Sequence, residues 1–242
     1  MNPKITQLPT NHVGLYFAAD YHSQRSVGIH LMQIVDDLAV RHDPMTRAQR
    51  RGGSGFSEAL DEFGLLGFVW EWEIERAVEA CAFWGEEPSN VAAMWEWLLS
   101  RRMSGIWAER SNGEIFKPGE LLEDGIYMTP DGCRKRPRRL EEWKATWRSS
   151  RGLDSGNFEE RNWKWCIQAA CYCRALGINE AVIRVYHVNG GYEKGQMGAP
   201  ILTAWKIRWT DQQLEEVWRM VLNHKETMLE EGKLRLPEER AA

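Results

Sequence analysis

Two runs rich in β-branched and aromatic residues constrain the fold most. They are AVIRVYHV at 181–188 and ILTAWKIRW at 201–209, and the second alternates apolar and polar positions. Both read as strands. A long helical stretch, FEERNWKWCIQAACYCRAL at 158–176, precedes them, and Gly177 stands where a helix C-terminus places glycine. Thr210 follows them, with Gln213 three positions on, which predicts a capping box opening a last helix. Strands interleaved with helices predict an α/β fold with a central mixed sheet flanked by helices.

Upstream, SVGIHLMQIVDDLAV at 26–40 has apolar residues at helical spacings. Further helices are predicted over 66–83 and from Ser89 onward, with Ser89 as N-cap after Pro88. DPMTRAQRRGGSGFS at 43–57 reads as a connection, broken by Gly52, Gly53 and Gly55 and made basic by Arg47, Arg50 and Arg51. Gly125–Thr129 reads as a short extended run stopped by Pro130-Asp131-Gly132. Residues 139–147 read as a second strand, forming an antiparallel hairpin with the first. With 242 residues and no internal repeat, the chain is expected to be one domain over 1–242. Its helical N-terminal part covers about 1–105 and overlaps a core over about 60–230.

Charge is distributed unevenly. The chain carries −4 overall, but residues 134–151 carry +6 and the remainder −10. The positive window holds Arg134, Lys135, Arg136, Arg138, Arg139, Lys144, Arg148 and Arg151. A local positive field of this kind captures a polyanion even on an acidic chain. Contacts from Arg and Lys to phosphates track the backbone and do not read bases. No apolar stretch approaches the ~20 residues of a membrane span, and MNPKITQLPTNH lacks the apolar core of a secretory leader. The five cysteines are odd in number and three are crowded (Cys166, Cys171, Cys173), which reads as reduced, packed thiols of a cytoplasmic protein.

Asp131, Glu142 and Lys144 are the residues best placed for chemistry. On a strand, Glu142 and Lys144 leave one face while Trp143 enters the other. If the neighbouring strand pairs, Asp131 converges on Glu142. Two carboxylates and a main-chain carbonyl make a hard oxygen site for Mg²⁺ or Mn²⁺. Spacing alone leaves a plainer alternative open: Asp-Gly as a turn, and Glu-x-Lys as a solvated charge pair.

Pro130-Asp131 followed by Glu142-Trp143-Lys144 resembles the signature of the PD-(D/E)XK nuclease superfamily. Gln168 and Tyr172 resemble the Gln-x-x-x-Tyr element of its phage-type branch, the lambda-exonuclease-like and RecB-like exonucleases. Gly67-Phe-Val-Trp-Glu71 resembles that branch's Gly-x-x-x-Glu segment. The resemblance covers roughly residues 60 to 188. It implies a restriction-endonuclease-like core and a metal-dependent DNA exonuclease that yields 5′-phosphate products from duplex ends. Asp131, Glu142, Glu71 and the Trp143 carbonyl would be metal ligands, with Glu75 a lesser substitute for Glu71. Lys144 would be the active-site lysine, and Gln168 and Tyr172 would support the site. Arg134, Lys135, Arg136, Arg138, Arg139, Arg148, Arg151, Arg47, Arg50 and Arg51 would contact DNA. Trp147 would be available to stack on a frayed base.

The resemblance further implies Mg²⁺ as cofactor, replaceable by Mn²⁺. The cysteine spacing does not meet the pattern of relatives carrying an iron–sulfur cluster, so none is expected. Implied partners are double-stranded DNA, other copies of the chain in a ring-shaped trimer, and a single-strand annealing protein. A phage-encoded role in recombination is implied too. The alternatives are a structure-specific or restriction-like endonuclease, a non-catalytic DNA-binding module, or a structural protein with chance motif matches.

Overall fold

The computed structural model describes residues 3–8, 28–42, 104, 108, 111–146, 148–187, 190–191 and 201–234. The predicted helices over 66–83 and from Ser89 lie outside them, as do Glu71, Glu75, Arg47, Arg50, Arg51 and Trp147.

Among the described residues the order is β1 (Lys4–Leu8), β2 (Ile29–His30), α1 (Leu31–His42), β3 (Ile115–Phe116), β4 (Leu121–Glu123), β5 (Ile126–Met128), β6 (Gly132–Arg134), β7 (Arg139–Thr146), α2 (Phe158–Arg161), α3 (Trp163–Ala175), β8 (Glu180–His187), β9 (Ile201–Arg208) and α4 (Asp211–Glu230). Six strands form one sheet in the order β1-β9-β8-β7-β6-β3. β7 and β8 run parallel, and the other pairs are antiparallel. The protein is therefore α/β, with a mixed sheet flanked by helices.

The parallel pair needs a crossover long enough to bring the chain back, and α2 with α3 supplies it. Every residue of β8 is buried, as a strand covered on both faces requires. α3 packs on β7 and β8 and meets α1 and α4 on its other side. It is thus a middle layer, and Cys166 to Cys173 are buried without interruption. Ala169 and Ala170 keep that helix thin enough to sit between two layers. α1 is tied to α4 by Asp37, which accepts from His224 Nε2 at 3.0 Å.

Both predicted helix ends are present. Gly177 is left-handed (φ 61). Its N–H bonds the Arg174 carbonyl at 3.0 Å, and the Ile178 N–H bonds the Cys173 carbonyl at 2.9 Å. This pair of bonds satisfies the last carbonyls of α3. Thr210 and Gln213 cap α4 reciprocally.

Three local expectations are corrected. The run near 125–129 does not pair with β7. Asp124 (φ 48) and Gly125 (φ 72) are both left-handed and form a two-residue turn between β4 and β5, as Asp-Gly favours. β5 therefore belongs to a second sheet, β2-β5-β4, and the arm opposite β7 is β6. The long helix over 158–176 is divided at Asn162, whose φ of −129 is not helical. Of the stretch over 26–40, the described part from Gly28 becomes helical only at Leu31, because Ile29 and His30 pair with β5.

Thr210→Ala should lower unfolding free energy by about 1 kcal/mol, as loss of an N-cap does. Thr210→Ser should restore most of it in urea melts.

Candidate active site

β7 presents its residues alternately to two faces. Leu140, Glu142 and Lys144 leave toward α3, while Glu141 and Trp143 leave the other way. On the α3 side a hydrogen-bonded chain of five residues joins the turn before β6 to β7 and α3. The Asp131 N–H donates to Glu142 Oε1 at 3.2 Å. The Trp143 N–H donates to Asp131 Oδ2 at 2.9 Å, which fastens that carboxylate to the backbone of β7. Lys144 Nζ donates to Glu142 Oε2 at 3.0 Å and to Gln168 Oε1 at 2.8 Å. Gln168 Nε2 donates to the Tyr172 hydroxyl at 2.9 Å.

Each link has a local cause. β6 pairs with β7 only from Gly132 to Arg134, so Asp131 stands just beyond the ladder, beside Glu142. Gln168 and Tyr172 are four apart and share a face of α3. The donation from Lys144 settles which amide atom of Gln168 is oxygen, and leaves its nitrogen for Tyr172.

Glu142 is 1% exposed. Burial pushes its carboxyl up to about 7; the neighbouring Asp131 charge adds to the rise, and Lys144 opposes it. One ammonium group therefore offsets only part of the cost of two adjacent carboxylates, one of them buried. A divalent cation suits such a site. The oxygens it would meet are Asp131, Glu142 and the Trp143 carbonyl, which leaves β7 on the same side as the N–H bonded to Asp131. Among the described residues, no group of three His, Cys, Asp or Glu side chains gathers as a metal site. The donor set there is two carboxylates and one carbonyl.

The opposite face of β7 holds a feature that was not anticipated. Glu141 is fully buried and accepts from Arg134 Nε at 3.1 Å and Arg139 Nε at 2.8 Å, and it pairs with Arg184 as well. Arg184 lies 5.0 Å over the Trp143 ring. Burial, with repulsion from Arg139 and Arg134, lowers its guanidinium to about 9. The tandem Glu141-Glu142 was the available signal, because adjacent strand residues face opposite ways.

The basic positions thus divide. Arg134 and Arg139 are bound to Glu141. Arg148 donates to the Arg161 carbonyl and to Asn162 Oδ1, each at 2.9 Å, and stacks over Trp165. It braces the break between α2 and α3. Arg138 donates to the Leu176 carbonyl at 2.7 Å yet stays exposed. Lys135, Arg136 and Arg151 are exposed. Cys133, Cys166, Cys171 and Cys173 are buried free thiols, and burial pushes all four up.

No family model matches the chain, and no curated protein matches it. A solved structure described as "Crystal structure of SSO0001" aligns with a TM-score of 0.40 at 11% identity, covering 83% of this chain and 78% of that one. A likeness of that degree does not define a family. Among the described residues, no helix is long and apolar enough to cross a membrane.

The Glu142 shift has a consequence for stability. A carboxyl whose pKa is higher folded than unfolded binds its proton more tightly in the native state, so its ionisation works against the fold. The penalty is absent below the ordinary value of 4.5, grows toward 7 and is complete above that. In metal-free buffer, Glu142→Gln should flatten the fall in stability across that window, measured by urea melts at a series of pH values. An unchanged slope would mean that Glu142 is not the group responsible.

Proposed function

We propose that this protein is a metal-dependent deoxyribonuclease with a restriction-endonuclease-like core. It acts as an exonuclease on duplex ends and leaves 5′-phosphates. The observation that carries the reading is the continuous chain Asp131–Glu142–Lys144–Gln168–Tyr172. Five positions that resemble two separate nuclease motifs meet in one hydrogen-bonded unit, and chance motif matches have no reason to do so. The end-dependence follows the resemblance to the phage-exonuclease branch.

Asp131, Glu142 and the Trp143 carbonyl would hold Mg²⁺, with Glu71 as the further acidic candidate. The cation supplies an acidified water and charge relief at the phosphate. The protein's own groups do the rest. Glu142 and Gln168 restrain Lys144 Nζ from two sides, which leaves its remaining proton to point toward a phosphate or water oxygen. Lys144 then orients that oxygen and stabilises negative charge as it develops. Tyr172 holds Gln168, so it acts through Lys144 and does not touch substrate. Exposed Lys135, Arg136, Arg138 and Arg151 supply cations that offset the repulsion between the carboxylates and a phosphodiester.

With Mg²⁺, linear duplex should be degraded and covalently closed duplex left intact. Asp131→Ala, Glu142→Ala and Lys144→Ala should each lower the rate on the order of a hundredfold or more, while DNA binding partly survives. Normal cleavage by any of the three would remove the assignment, and cutting of the closed circle would replace the exonuclease by an endonuclease. Gln168→Ala should lower kcat by about tenfold with little change in DNA affinity, as loss of an outer positioning bond does.

A further inference from the structure

Phe116 ends β3, the edge strand of the six-stranded sheet, and is 42% exposed. Among the described residues, Leu122 is the other large apolar side chain left in solvent. A single exposed apolar residue is ordinary. What distinguishes Phe116 is where the register puts it. It stands opposite Cys133, and Cys133 stands opposite Leu140. Cross-strand partners share a face, and Leu140, Glu142 and Lys144 share a face by alternation. Phe116 therefore lies on the face that carries the candidate site.

The separation follows from strand geometry. Asp131 is two residues along and one strand across from Phe116, roughly 8 Å between Cα atoms. Glu142 is two strands across, roughly 12 Å away. Successive bases on a strand rise about 3.4 Å, so the ring is within a few nucleotides of any phosphate held at the carboxylates. The Lys135 N–H donates to the Glu114 carbonyl at 2.8 Å, which joins the basic turn to the start of β3. Lys117, Lys135, Arg136 and Arg138 outweigh Glu114 and Glu120 in that corner. An aromatic face beside cations that track a backbone is the arrangement that holds an unpaired base, because every base offers a π-face.

We propose that Phe116 stacks on an unpaired nucleobase at the DNA end, adjoining the Asp131–Glu142–Lys144 site. This rests on the nuclease reading above. The stack favours opening of the terminal pair and holds the end near the carboxylates. A duplex without ends or unpaired bases gains nothing from it.

The test uses EDTA, so that nothing is cut. The DNAs are duplexes with a short 5′ or 3′ unpaired tail containing a fluorescent adenine analogue, and a covalently closed duplex. Wild type and Phe116→Tyr should quench the analogue in one of the tails. Phe116→Ala should leave it bright and weaken tailed-DNA binding by about fivefold or more, the loss of one base stack. Affinity for the closed duplex should not change, nor should the melting temperature. Equal quenching by Phe116→Ala, or equal weakening on both kinds of DNA, would overturn the proposal while leaving the nuclease reading in place. Wild type that binds neither DNA would also overturn the stack, while the cleavage assay in Mg²⁺ decides the nuclease reading separately.

Discussion

A buried carboxylate beside a second carboxylate is unfavourable unless something compensates it. Glu142 is in that position, with Asp131 next to it and one ammonium group to answer both. The surrounding architecture follows from holding this arrangement together. β6 begins only at Gly132, which leaves Asp131 beside Glu142 instead of inside a ladder. α3 brings Gln168 over the strand as a second acceptor for Lys144. The Schellman turn at Gly177 closes α3 and leads into β8, which lies parallel to β7 and anchors it. Each of these features sets a position, and none of them removes the excess negative charge. A site left unbalanced in this way is suited to a cation and a phosphate arriving together.

The other face of β7 is balanced in the opposite sense. Glu141 takes Arg134, Arg139 and Arg184 around one fully buried carboxylate. A single strand thus carries an acidic centre on one side and a cationic one on the other, with the β7 backbone between them. The cationic side holds the two ends of the basic hairpin in place. The exposed turn with Lys135, Arg136 and Arg138 is therefore presented from a rigid base, which suits contacts to a regular phosphate backbone.

Much of this was legible in the chain, for identifiable reasons. Glu142 and Lys144 share a face because strands have period two. Gln168 and Tyr172 share one because helices have a period near four. Thr210 with Gln213 and the glycine at 177 are local rules, and tertiary packing did not override them. What was missed depends on partners distant in sequence. Asp124-Gly125 is a turn signal, but reading its glycine as the start of a strand displaced the hairpin arm by several residues. β1 is five residues long and is defined only by its pairing with β9. The roles of Glu141 and Arg148 are decided by Arg184, Asn162 and Trp165, which no spacing rule connects to them.

The proposed function requires Asp131 and Glu142 to form one divalent-cation centre. Thermal melts with and without Mn²⁺ test this without any assumption about DNA. A ligand that binds the native state raises its melting temperature by mass action. Wild type should show a concentration-dependent rise that Asp131→Ala abolishes. No rise in wild type, or the same rise in Asp131→Ala, would contradict it.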